Sequence, residues 1–152
     1  MLKYSNTLFV VSDINKSIEF YEEVIGDRLI MNFGKNVVFE SGLSLHENKL
    51  WNGAEVKFGG NDAELYFIED DFDGFIEYLK EFDDIKYVHN IETIDSGQRV
   101  VRLYDPDNHV VEIGEDINCV IRRLLAEGMT IEQVSQKSQF PIEYVQQMVD
   151  HK

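Results

Sequence analysis

The chain is short of cysteine, of basic residues and of long apolar runs. Cys119 is the only cysteine in 152 residues. A single thiol excludes an intrachain disulfide and any zinc site built from a cysteine cluster. No apolar run approaches the length of a membrane span. The N-terminus, Met1 to Asn6, lacks the charged and apolar regions of a secretory signal, so a cytoplasmic location is the default expectation. Lys and Arg number 14 against 29 Asp and Glu, a net charge of −15. That balance favours solubility and opposes binding to nucleic acid or an anionic membrane surface, unless a basic patch is segregated.

What is present points to a globular domain with a sizeable core. Hydrophobic residues make up 43% and aromatic residues 12% of the chain, which excludes intrinsic disorder. The charge is unevenly spread. Residues 117–152 balance four basic against four acidic side chains, so residues 1–116 carry the whole −15. This change of composition marks a structural boundary near residue 116.

Residues 4–11 predict a strand rich in β-branched and aromatic side chains. Ser12 or Asp13 is placed to cap a helix over 14–25, whose Ile14, Ile18, Tyr21 and Ile25 recur at helical spacing. Gly26 stops it. Short strands follow near 28–33, 36–41 and 43–47, with Gly34 and Gly42 at the turns. Residues 48–61 read as a loop, including Asn52 and Gly53, in which 55–58 could add a brief strand. The pattern then repeats: a strand over 64–68, a cap at Asp70-Asp71, and a helix with Phe72, Phe75, Ile76 and Leu79 on one face. Strands follow near 85–89, 98–104 and 109–114. A shift of 58 residues sets Asn6 on Glu64, Leu8 on Tyr66, Val10 on Ile68 and Asp13 on Asp71. Two similar units, 1–48 and 62–116, are therefore expected to bury a shared core. Beyond them, helices are expected over 117–126, from Thr130 and its capping box, and over 141–149, where Pro141 suits a first turn.

The stretch from Asp105 to Gly114 holds the chain's main chemical signal. Asp105-Pro106-Asp107-Asn108-His109 reads as a tight turn. In the strand after it, alternation puts Val110 and Glu112 on one face and Val111 and Ile113 on the other.

Two pieces carry a family likeness. One is Val11-Ser12-Asp13, Ser17-Ile18-Glu19-Phe20-Tyr21 and Gly26. The other is Gly97-Gln98-Arg99 followed by Asp105 to Ile113. In this order, and on a βαβββ repeat, they resemble the vicinal oxygen chelate superfamily, also called the glyoxalase/bleomycin-resistance/dioxygenase superfamily, over residues 4–115. The resemblance implies an α+β fold in which two βαβββ units form a curved, mixed or antiparallel sheet around a cleft. It implies binding of a small molecule, with metal-assisted lyase, isomerase or dioxygenase chemistry among the activities the scaffold hosts. It also implies a homodimer, since many relatives dimerise.

In metal-dependent members four positions matter, and they fall here on Asn6, Ser44, Glu64 and Glu112. Asn6 and Ser44 are poor ligands for a divalent transition metal. The implied metal set is therefore Glu112 and Glu64, with His46, two residues beyond Ser44 and on its face, or water completing the shell. The same two carboxylates, held close, would split their proton affinities and act as acid and base. Arg102, Tyr66 and Asn6 are the expected substrate contacts. Arg99 and Arg102 stand on opposite faces of one strand, so at most one meets the ligand. An internal ion pair of Arg102 with Glu64 or Glu112 is the structural alternative. His46 and His89 are candidate pocket residues, with a solvated surface position as the alternative, and His109 reads as packing its own turn.

Two further readings stand beside this one. A non-catalytic sequestering protein predicts a wide apolar groove, to which Trp51, Glu55 and Phe58 could contribute. A regulatory protein would use the C-terminal helices, whose spacing is like a helix-turn-helix. The would-be recognition helix, 142–150, has two acids and no base, which is wrong for phosphate contact. A helical appendage is the expectation there.

Overall fold

A computed structural model describes residues 2–51 and 55–150, apart from the side chains of Leu50 and Trp51. Asn52 and Gly53, read above as loop, lie outside the described residues, as does the Trp51 side chain. The chain divides into two compact units. One comprises Met1–Ala63 with Tyr104–His109, the other Glu64–Leu103 with Val110–Lys152.

In the first unit, β1 (Thr7–Val11) leads into α1 (Ile14–Glu19), which runs on as a π-helical turn (Phe20–Val24). The Asp13 carboxylate accepts hydrogen bonds from the backbone of Asn15 and Lys16, as an N-cap should. Gly26, at a φ of +76°, ends the helical stretch where a side chain would be strained. Three strands follow, β2 (Leu29–Asn32), β3 (Asn36–Phe39) and β4 (Leu43–Glu47). The sheet order is β1-β4-β3-β2. β1 runs parallel to β4 and the other pairs are antiparallel, so the sheet is mixed. β1 begins at Thr7 rather than Tyr4, because Thr7 pairs with Leu43, the first residue of β4. Asn6 therefore lies just before the strand. Residues 55–58 form no strand.

Val11, Ile14, Phe20, Tyr21, Val24, Val37, Phe39 and Leu45 are buried. Tyr21 is the largest of them that is fully enclosed, and its hydroxyl donates to Asp105 Oδ2 at 3.1 Å. Burial pushes the Tyr21 phenol well up, and Asp105 adds to the effect. Asp105 organises its own turn. Its Oδ1 accepts from the backbone of Asp107 and His109, and its Oδ2 lies 2.8 Å from His109 Nδ1. His109 stacks on Phe9, with ring centroids 4.3 Å apart.

The second unit repeats the order: β5 (Glu64–Glu69), α2 (Phe72–Leu79), β6 (Lys86–Thr93), β7 (Arg99–Tyr104) and β8 (Val110–Glu115). Its sheet order is β5-β8-β7-β6, with β5 parallel to β8. Asp71 caps α2 by accepting from the Gly74 backbone. Three helices follow, α3 (Ile117–Ala126), α4 (Ile131–Ser138) and α5 (Ile142–Asp150). The Thr130–Gln133 capping box starts α4, with both reciprocal hydrogen bonds formed. The helices share a small core of Val120, Ile121, Leu124, Val134 and Val145. No helix among the described residues is long and apolar enough to cross a membrane.

Alternation gives the second sheet two unlike faces. Leu65, Phe67, Arg99, Val101, Leu103, Val111, Ile113 and Glu115 share the face toward the helices. Arg99 meets Asp73 and the ring of Phe72 on α2, and Glu115 meets Arg123 on α3. Glu64, Tyr66, Ile68, Arg102, Glu112 and Gly114 share the opposite face. Tyr66 and Ile68 are 49% and 60% exposed there.

Candidate functional site on the second sheet

The opposite face of the second sheet carries four of the expected site residues, Glu64, Tyr66, Arg102 and Glu112, with Arg102 at the centre of its ion pairs. The Arg102 Nε donates to Glu64 Oε2 at 2.8 Å. Its Nη2 forms an ion pair with Glu112 Oε2. Its Nη1 lies 3.1 Å from His89 Nε2 on β6. The parallel register of β5 and β8 sets Tyr66 beside Glu112 and Ile68 beside Gly114. Both carboxylates thus share one guanidinium, and the internal ion pair is formed twice over.

The hydrogen-bond pattern assigns the His89 tautomer. A guanidinium has only donors, so Nε2 must accept from Arg102. Nδ1, which lies 2.6 Å from the Asn90 carbonyl oxygen, must then carry the proton and donate it.

Glu112 is the buried member of the group, with its side chain only 9% exposed. Its Oε2 is enclosed and has no aligned hydrogen-bond donor among the described residues. Burial therefore dominates its titration. The carboxyl is pushed up by desolvation, Arg102 pulls it back down, and the negative charge of Glu64 raises it again. Arg102 is held more firmly charged than usual, chiefly by its hydrogen bond to Glu64 and against the cost of burial.

Tyr66 is positioned by a gap in the next strand. A Cβ on Gly114 would stand 2.8 Å from the Tyr66 ring and 2.9 Å from Gln98 Nε2, so only glycine lets these side chains lie there. Gln98 Nε2 donates to the Tyr66 hydroxyl at 2.7 Å and to the Glu115 carbonyl at 2.8 Å. Gln98 thus fixes a half-exposed aromatic ring against the sheet.

The remaining expected residues lie in the first unit. Asn6 Nδ2 donates to Ser44 Oγ. His46 is half-buried on β4, in register with Val10 and Asn36. Phe58 is about one-third exposed, and its ring stands edge-on to His109.

A divalent ion prefers three or more oxygen or imidazole donors converging on one point. Among the described residues no three His, Cys, Asp or Glu side chains are grouped to hold one. Of the expected ligands Glu64, Glu112 and His46, both carboxylates are engaged by Arg102. The donor set as it stands does not fit a resident metal.

His89 and Gln98 are the residues that sequence reasoning passed over as parts of the site. Gln98 carried a weak signal, sharing the Arg102 face by alternation. His89 was a candidate pocket histidine, but its contact with Arg102 depends on how β6 aligns with β7.

The comparisons with known proteins agree with this architecture. The family model for the glyoxalase-like domain matches residues 4–118. The metallothiol transferase FosB of Staphylococcus haemolyticus is 26% identical over 117 residues, covering 74% of this chain and 84% of that protein. A solved protein of unknown function from Agrobacterium tumefaciens superposes with a TM-score of 0.67 at 32% identity, covering 76% of this chain and 95% of the other. The lactoylglutathione lyase of Agrobacterium tumefaciens superposes at 0.60 with 22% identity, covering 76% and 94%. With its two βαβββ units and a family match that takes in every strand, the chain belongs to the glyoxalase-like domain family of the vicinal oxygen chelate superfamily.

Proposed function

We propose that this protein binds a small organic molecule on the Tyr66 face of the second sheet, without a metal ion bridging protein and ligand. The observation that carries the reading is the guanidinium of Arg102, which already neutralises the two carboxylates that a metal would use. Tyr66 and Ile68 supply exposed apolar area, and Gln98 holds the Tyr66 ring for stacking. Arg102 is not free to receive an anion, because Glu64 and Glu112 together outweigh its charge. The ligand class is therefore neutral or cationic, with a flat apolar body.

The test is a thermal-shift and calorimetric screen of flat aromatic amines and neutral heterocycles against protein stripped of metal with EDTA. A ligand found this way should bind about tenfold more weakly to Tyr66→Ala, the loss of one stacking contact. Binding that appears only after divalent metal is restored would overturn the reading.

One observation favours a second reading. Burial raises the Glu112 carboxyl above the ordinary carboxylate range, beside Arg102 and Glu64, which suits a group that gives or takes a proton. Turnover with a pH profile that disappears in Glu112→Gln, ligand binding being kept, would establish it.

A further inference from the structure

We propose that the Tyr66 hydroxyl and the side-chain carbonyl of Gln98 act as a donor–acceptor pair that selects flat heterocycles with a lactam-type edge, a carbonyl beside an N–H. The inference rests on the small-molecule reading above and names the chemistry of the ligand's polar edge.

The partners fix the direction of each hydrogen bond. The Glu115 backbone carbonyl can only accept, so the Gln98 atom 2.8 Å from it is Nε2. An amide nitrogen has two protons and no lone pair to offer. One proton goes to the Glu115 carbonyl and the other to the Tyr66 hydroxyl oxygen, 2.7 Å away. Both are then used. The Tyr66 hydroxyl accepts in this bond, so its own proton remains to be donated. With half of the Tyr66 residue exposed, that proton is offered to solvent or to a ligand.

Gln98 Oε1 is the second open atom. Among the described residues, the buried side-chain polar atoms without a hydrogen bond are Asn36 Oδ1 and Glu112 Oε2. Gln98 Oε1 has no partner and is not one of them, so it too is reached by solvent. An O–H donor and a C=O acceptor are thus tied to one nitrogen. Both are held in place. Gln98 is pinned to the Glu115 backbone, and the Tyr66 hydroxyl end lies where a Gly114 Cβ would otherwise stand.

An apolar floor adjoins the pair. The parallel register puts Ile68 beside Gly114, and Ile68 is 60% exposed. A flat body resting on Ile68 brings its edge to the Tyr66 hydroxyl. A ligand edge with a carbonyl and an N–H answers both open atoms. An edge with an acceptor alone leaves Gln98 Oε1 unmet, and one with an N–H alone leaves the Tyr66 proton unmet. A carboxylate offers two acceptors and sets a negative oxygen against Gln98 Oε1, so this edge also rejects anions.

Three flat probes separate the parts. Carbostyril, a fused lactam, has both the carbonyl and the N–H. N-methylcarbostyril keeps only the acceptor, and indole keeps only the N–H. Dissociation constants are read by NMR titration of the full chain after EDTA treatment. Carbostyril should bind at least about fivefold more tightly than either of the others, the effect of one hydrogen bond. Gln98→Met removes Oε1 and should erase the advantage over N-methylcarbostyril. Tyr66→Phe keeps the ring, removes the donor and should erase the advantage over indole. Equal binding of the three probes by the unaltered protein overturns this inference and leaves the small-molecule reading standing. An advantage that survives both substitutions does the same. Failure of all three probes at millimolar concentration overturns the inference, and the small-molecule reading falls with it only if no flat ligand from the wider screen binds. Should Gln98→Met fail to fold, the unaltered protein and Tyr66→Phe decide.

Discussion

Glu112 and Glu115 are three residues apart on β8, point to opposite faces of the same sheet, and are both buried against arginine. Their titrations move in opposite directions. Glu115 is pushed up by burial, but hydrogen bonds from Arg123 and Arg99 more than reverse this and hold its carboxyl below the usual range. Its two oxygens take donors from both guanidiniums, at 2.8 to 3.2 Å. Arg99 is further held by Asp73, and Arg123 by the Gly97 carbonyl. Glu112 has one arginine, shared with Glu64, and an oxygen with no aligned donor. Burial penalises both charges. The number of aligned donors decides which charge is comfortable. The helix-covered face is therefore a completed network that joins α3 to the sheet, whereas on the opposite face one guanidinium serves two carboxylates.

The comparison breaks most readily at Glu115. Glu115→Ala leaves two guanidiniums facing each other on a buried site and should cost about 3 kcal/mol in urea unfolding. Glu112→Ala should cost on the order of 1 kcal/mol, because a half-satisfied group is lost. Equal costs would mean that the two networks are alike. Gly114→Ala, between the two glutamates, should cost about 1 kcal/mol by overpacking. Its Cβ meets Tyr66 and Gln98, so it should weaken ligand binding on that face while leaving the Glu115 network formed.

The smallest effect is the most discriminating, and it lies in the pH dependence of stability. Glu115 has a folded value below its unfolded one. Its contribution is complete above the ordinary carboxylate range, roughly pH 4.3, and is lost as pH falls through the lower folded value. Glu112 has a folded value above its unfolded one. The folded protein holds that proton more firmly, so stability declines as pH rises from the ordinary value through the raised one. Glu115→Gln should flatten the acid limb, and Glu112→Gln should flatten the decline on the other side. Each change should amount to less than about 1 kcal/mol, read from urea midpoints across pH 3 to 8.

Much of the fold was legible in the chain. Alternation separated Arg99 from Arg102 and Glu112 from Ile113, and both separations hold in the structure. Helical spacing, Asp13, Asp71 and the Thr130 capping box located the helices with their starts. The strand read from Tyr4 began only at Thr7, because a strand needs a neighbour and β4 begins at Leu43. The balanced charge of residues 117–152 concealed Arg123, whose importance comes from reaching Glu115. His89 and the second engagement of Arg102 were hidden for a like reason. Which side chains meet across strands depends on register between segments far apart in the sequence.

By itself the sequence determined the repeat, the element order and the face on which each strand residue stands, because these follow from local periodicity and turn chemistry. Only the tertiary structure decided which arginine answers which carboxylate. That choice is made by distances of about 3 Å between residues up to 38 positions apart, which no local pattern encodes.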